Sequence, residues 1–336
     1  MGLAAAGGAT LVVNPLSLGT TRASTLPVGA TGKGISPGKL MYLQPWELEQ
    51  YLDGLVDVSP GGWVRTDLDW AWIERVPASF DWVGADRAVN GAIARGLPVI
   101  AILGTTPSWA NAGQGWNVPP LDPKLMVPFA RAAAQRYGPL GVTFEVWNEP
   151  NFKASWRSPD PAAYTALLRA VSGAIKQVSP SSRVLTGGLA AGGSPRPVDF
   201  LRVMYAAGAR DAFDAVGYHP YCGQGAPLAA GSGLLVAQDL RATMVANGDA
   251  AKQLWGTEIG WRVEFLGVSE AMQASYLTQA YAKWAEWSTA GWAGPLLWFN
   301  LKDKAMTLLD FDAHSQYGLY RNDWSARPAY FAFRSA

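Results

Sequence analysis

VTFEVWNEPN, residues 142–151, starts as an apolar run and breaks off at a glutamate followed by proline. Its length and its aromatic and β-branched content are those of a buried strand. Pro150 cannot donate to a ladder, so the strand must stop there and Glu149 is left at its exit. Burying a charge without a partner is expensive, so a carboxylate in that place needs a reason. A second run of the same design, QLWGTEIGW at 253–261, delivers Glu258.

Outward from these two, the chain alternates short β-rich runs with amphipathic stretches. The runs lie at 32–35, 62–68, 98–104, 142–149, 183–190, 212–221, 253–260 and 294–300. Several are almost continuously apolar, as strands covered on both faces are. Eight such runs with crossover helices predict an α/β fold, a (β/α)8 TIM barrel. Between them, Asp160 before Pro161 predicts a capped helix start, followed by apolar residues at helical spacing up to Ser179-Pro180. Ser269 predicts another, with Met272, Tyr276, Ala280 and Trp284 on its inner face and Gly291 beyond its end. Residues 125–137, 199–207 and 234–246 read likewise. The barrel domain is expected over 31–336, preceded by an irregular arm over 1–30. Small apolar residues at 2–13 and a Thr/Ser/Gly/Ala-rich stretch at 20–31 suggest the remnant of a secretory signal, with residues 21–23 as its cleavage match. A positively charged start is missing, so a flexible arm and a cytoplasmic protein stay open beside the expected secretion.

The 336 residues are 49% hydrophobic and 16% charged, enough for a large core and too apolar for disorder. A net charge of +1, without basic clusters, argues against nucleic acid and acidic membrane surfaces as partners. No run is long and apolar enough to span a bilayer. One cysteine, Cys222, excludes an internal disulfide, and with only two histidines a His/Cys zinc site has almost no material. GATGKG at 29–34 lacks the first glycine and the final Ser/Thr of a phosphate loop, and no nucleophile elbow is present. Of the 16 tryptophans, an unusual number, some are expected in the core and others fall beside predicted strand ends, where flat aromatic faces suit stacking on sugar rings.

Functional residues of such a barrel sit at the C-terminal ends of its strands. A protonated Glu149 in a tryptophan-lined surrounding could act as a general acid, and an ionised Glu258 could attack an electrophilic carbon. Glu145 shares strand parity with Glu149 but lies about 13 Å deeper, and reads as a buried structural carboxylate. Arg65, in WVRTDLDW, has the planar fork to hold Glu258, or else pairs with Glu145 or Asp67. Asp67 and Asp69 alternate with it as substrate contacts or internal partners. His219 and Tyr221 share parity at the end of the sixth run, where the tyrosine hydroxyl could orient the attacking carboxylate. Trp298 and Trp109 are candidate sugar platforms; Trp116, Trp156 and Trp261 are rim candidates at least as easily explained as core. Two carboxylates facing each other across a barrel mouth are what glycoside hydrolysis uses.

FEVWNEPN, TEIGW, VRTDLDW, ILGTTPSWAN, HPY and the closing RPAYFAF together resemble glycoside hydrolase clan A, in particular bacterial family 39-like and family 5-like members. The resemblance implies a retaining double displacement on an oligosaccharide or polysaccharide, with no metal and no cofactor. It implies Glu149 as acid/base, Glu258 as nucleophile and Asn148 as the residue that binds the sugar 2-hydroxyl. Arg65, His219, Tyr221 and Trp298 match the supporting positions. A catalytically silent glycan-binding barrel and a transglycosylase are the alternatives.

Overall fold

Strand pairs with strand, always in parallel, until the sheet meets its own first edge in the computed structural model, which describes residues 32–263, 267–304 and 316–336. The arm over 1–30 and the signal read from it lie outside the described residues. The strands are β1 (Lys33–Ile35), β2 (Trp63–Asp69), β3 (Val99–Gly104), β4 (Thr143–Val146), β5 (Val184–Thr186), β6 (Leu189–Ala190), β7 (Ala215–His219), β8 (Gln253–Ile259) and β9 (Ala293–Trp298). β1 pairs with β2 and β9, and both β5 and β6 pair with β7. β5 and β6 are thus two pieces of one stave, interrupted at Gly187-Gly188, and the barrel has the eight staves expected. The interruption is a correction to the continuous fifth run read from the sequence. Backbone passes too close there for a ladder: a side chain on Gly187 would meet the carbonyls of Val146 and Trp147 at 2.8 Å.

Helices cover the outside. Asp160 caps the helix Pro161–Val178 by accepting from the amides of Ala162 and Ala163. Ser269 caps Glu270–Thr289 through Met272 N. The buried face of that helix is Gln273, Leu277, Ala280, Tyr281, Trp284 and Trp287, while Met272 is exposed. The expected face is therefore rotated by about one position, because Leu277 and Tyr281 compete better for the sheet than Met272. Two apolar layers result. The larger lies between staves and helices. The smaller comprises Trp63, Ile100, Leu185, Ala215, Trp255 and Leu297. It draws on six strands and no helix, so it fills the barrel interior.

That inner cluster sets the parity of every stave. Residues two and four positions beyond Trp63 on β2 (Arg65, Asp67) and beyond Ala215 on β7 (Gly217, His219) face inward at successively higher levels. The upper interior is therefore polar. Among the described residues no group of His, Cys, Asp and Glu is arranged to hold a metal ion, and no helix is long and apolar enough to cross a membrane.

Candidate active site

Glu258 ought not to point inward. Trp255 belongs to the inner cluster, so simple alternation turns Thr257 in and Glu258 out. Against β9, however, β8 carries an extra residue between Gly256, paired with Leu296, and Ile259, paired with Trp298. Such a bulge re-aims a side chain and is typical beside functional sites. Here it brings Glu258 into the mouth.

Three elements hold it there. Arg65 Nη1 donates to Glu258 Oε1, Ser36 Oγ at the end of β1 lies 3.4 Å from the same oxygen, and the Tyr221 hydroxyl donates to Oε2 at 2.9 Å. Arg65 serves more than one acceptor. Its Nε and Nη2 grip Glu145 at 2.7 and 3.0 Å, and Nη2 also donates to Asn148 Oδ1 at 2.7 Å. Glu145 is fully buried and takes a further bond from the Gly188 amide at 2.7 Å. Each of the two buried charges thus has its countercharge and its hydrogen bonds. Burial, with Glu258 alongside, holds the Tyr221 hydroxyl well above the ordinary tyrosine range, so it remains a donor.

Glu149 arrives differently. β4 ends at Val146, three residues before the strand end read from the sequence, and the chain then takes left-handed conformations at Trp147 (φ 71°) and Glu149 (φ 46°). Non-glycine residues adopt these at a cost on the order of 1–3 kcal/mol each, and such strain gathers where side chains are aimed for function. Glu149 Oε1 lies 3.0 Å from His219 Nδ1, and Ser155 Oγ lies 3.4 Å from Oε2. The same Nδ1 lies 3.8 Å from Glu258 Oε2. Those two carboxylate oxygens can then be no farther apart than the two distances laid end to end. That bound is compatible with the retaining separation of about 5–5.5 Å between the carboxyl groups. His219 is fully buried, and its Nε2 has no partner among the described residues. The ring proton therefore belongs on Nδ1, where Glu149 Oε1 accepts it.

Arg65, Asn148, Glu149, His219, Tyr221 and Glu258 are brought together. Trp298 and Trp109 are not. Trp298 is wholly buried, its indole N–H bonded to Tyr317 O at 3.0 Å and its ring beside Trp261. Leu297 faces the barrel interior, so Trp298 faces the helices and offers no platform. Phe299, one residue on, occupies the inner side instead, edge-to-face with Tyr221 and Tyr317 at 6.5 and 5.4 Å. Trp109 packs on Trp70 and donates to Glu74 O, away from either carboxylate. Trp156 and Trp261 are core; Trp116 is exposed. Sequence reading missed Ser36 and Phe299. Ser36 follows a strand directly, the one signal that could have found it; Phe299 was hidden by a one-residue error in facing.

The residues have recognisable relatives. A family model for glycosyl hydrolases family 39 matches residues 123–255, a stretch that includes Glu149 and His219 and stops short of Glu258. A family 39 glycoside hydrolase from Bacteroides cellulosilyticus superposes with a TM-score of 0.70 at 23% identity, covering 90% of this chain and 63% of the other. A family 39 β-xylosidase from Caulobacter crescentus gives 0.68 at 22%, covering 90% and 70%. An exo-β-1,4-mannosidase from an Opitutaceae bacterium gives 0.65 at 18%, covering 90% and 58%. The chain thus spans somewhat under two thirds of the first of these relatives. The superpositions bear out the TIM barrel. With the family 39 segment, they bear out the clan A resemblance and support a glycoside hydrolase.

Proposed function

We propose that this protein is a retaining glycoside hydrolase acting on β-linked glycans or β-glycosides through a covalent glycosyl-enzyme. The observation that carries this reading is that one imidazole nitrogen of His219 lies 3.0 Å from a Glu149 oxygen and 3.8 Å from a Glu258 oxygen, so that two carboxyl groups of different surroundings face one small space. Glu258, oriented by Arg65 and Tyr221, is the group placed to attack. Glu149, beside one imidazole and one more distant hydroxyl, is the group placed to pass a proton.

In the first step Glu149 gives its proton to the glycosidic oxygen as the bond to the anomeric carbon breaks, and a Glu258 oxygen bonds to that carbon from the opposite face. The leaving group departs as an alcohol. In the second step the Glu149 carboxylate takes a proton from water while the water oxygen bonds to the carbon and the Glu258 ester breaks. Tyr221 donates to one Glu258 oxygen and Arg65 to the other, so the carboxylate is oriented before attack. Because Arg65 occupies Asn148 Oδ1, the amide nitrogen of Asn148 is left to donate toward a sugar hydroxyl.

The test is a panel of aryl β-glycosides and β-linked polysaccharides with product configuration followed by proton NMR. The expected first product is the β-anomer. Glu258→Ala should lose at least about 10⁴-fold in turnover, by analogy with the removal of other enzymatic nucleophiles. Added azide should restore turnover and yield the α-glycosyl azide. Retained activity without azide would remove Glu258 from this role. Binding without cleavage would favour a silent glycan-binding barrel, and transfer to added sugar in preference to water a transglycosylase.

A further inference from the structure

Two tryptophans outside the catalytic cluster stand exposed at the same side of the mouth. Trp72 is 46% and Trp116 56% exposed. With Lys39, Tyr42, Asp69 and Thr105 they line a hollow of about 240 Å³. Single exposed aromatics are ordinary. Two converging on one concavity, with polar groups between them, are what a small ring with one apolar face and several hydroxyls requires. The volume lies below the roughly 300–1,000 Å³ of pockets for drug-sized ligands and suits one ring.

The walls are fixed in advance. Asp69 accepts from the Tyr42 hydroxyl and the Thr105 hydroxyl, each at 2.6 Å, and from Trp72 N at 3.1 Å, while Lys39 Nζ lies 3.6 Å away. Tyr42 meets the Trp72 ring edge-on at 5.1 Å, and the Arg75 guanidinium sits 3.8 Å from its centroid. Walls held this way cost a ligand little ordering.

Asp67 links the hollow to the catalytic centre. It lies on the inward face of β2, about 7 Å along the strand from both Arg65 and Asp69. No donor among the described residues bonds to its half-buried carboxyl, unlike Asp69, Glu145 and Glu258. Burial pushes that carboxyl up to about 6, against the pull of Lys39 and Arg65. It is an acceptor in want of hydroxyl groups. The direction also follows. Glu258 is tied to β1 and β2 through Ser36 and Arg65, whereas Glu149 turns toward Ser155 and β7. A leaving group lies beside the acid, so a hollow over β2 lies on the far side of the attacked sugar.

Resting on the hydrolase reading above, we infer that this hollow is a second sugar subsite, joined to the catalytic centre by Asp67, that holds the unit preceding the attacked sugar. Favoured substrates then present at least two linked sugars on the non-reducing side of the cleaved bond.

Matched 4-nitrophenyl substrates test this: β-xyloside with β-xylobioside, β-mannoside with β-mannobioside, β-glucoside with β-cellobioside. For the sugar accepted, the disaccharide should exceed the monosaccharide in kcat/KM by tenfold or more. Trp116→Ala and Trp72→Ala should each lower that ratio about tenfold, mainly through KM, and Trp116→Phe should restore much of it. A ratio near one in the wild type, or a ratio unmoved in both alanine variants, overturns the subsite and leaves the hydrolase reading standing. If no aryl glycoside is cleaved, the hydrolase reading falls, and calorimetric titration with xylotriose, mannotriose and cellotriose decides the subsite. Binding that is weakened in Trp116→Ala supports it, and no binding of any trisaccharide overturns it.

Discussion

Trp63 and Arg65 stand two residues apart on β2 and enter the same barrel, but they belong to different kinds of interior. Trp63 joins an apolar plug, within which it meets Trp255 edge-to-face at 5.1 Å. Arg65, one layer up, is equally buried and joins two carboxylates and an amide. The plug is held by area removed from water, which is non-directional and tolerates exchange of similar shapes. The layer above is held by charges that compensate one another, and no member can leave without stranding the rest. Strand alternation delivers both, and the chemistry of the residues at each level decides which part of the barrel is scaffold and which is apparatus.

The sharpest way to break this contrast is Arg65→Met, which strands Glu145 in the interior. It should destabilise the fold by about 3–5 kcal/mol in denaturant titration and nearly abolish turnover. Adding Glu145→Leu to it should recover much of that stability without recovering activity, since Glu258 and Asn148 still lack their donor. A double variant that regained activity would show that Arg65 is scaffold like Trp63.

Asp67→Asn separates the layers by pH. Its folded-state proton affinity is raised to about 6 from an ordinary 3.8, so the folded protein binds this proton more readily than the unfolded chain. The destabilisation it causes is fully present above pH 6 and fades as pH falls toward 4. Asp67→Asn should accordingly stabilise the protein at pH 8 on the order of 1 kcal/mol, because the carboxyl keeps partial contact with water, and the gain should vanish near pH 4. An equal gain at both pH values would rule out the ionised carboxyl as its source. The smallest effect belongs to the plug. Ile100→Val should cost about 0.5–1.5 kcal/mol and leave kcat/KM within about twofold.

Much of this was legible in the chain itself. Eight runs marked eight staves, because strands covered on both faces must be apolar almost throughout. Glu149 was legible because the proline after it forces the apolar run to break there, although the ladder itself ends three residues earlier, at Val146. Phase was harder to see. Alternation tells which residues share a face, not which face it is, so Trp298 was turned inward when Phe299 holds that side. A bulge shifts the phase mid-strand, and nothing local in GTEIG announces the extra residue that brings Glu258 round. Trp72 and Tyr42 meet only because the chain after β1 returns to the end of β2, a tertiary fact without a local pattern.

Gly188 lies in the break between β5 and β6, beneath the imidazole that sits between the two carboxylates. A methyl group on it would fall 2.1 Å from His219 Nε2 and 2.7 Å from Thr257 Oγ1, and its own amide is what caps Glu145. A position of the site with no room for any replacement is therefore one that contributes no side chain. Adding a single carbon there would evict the histidine ring from its seat and unmake the site from below, with every acidic group still in the chain.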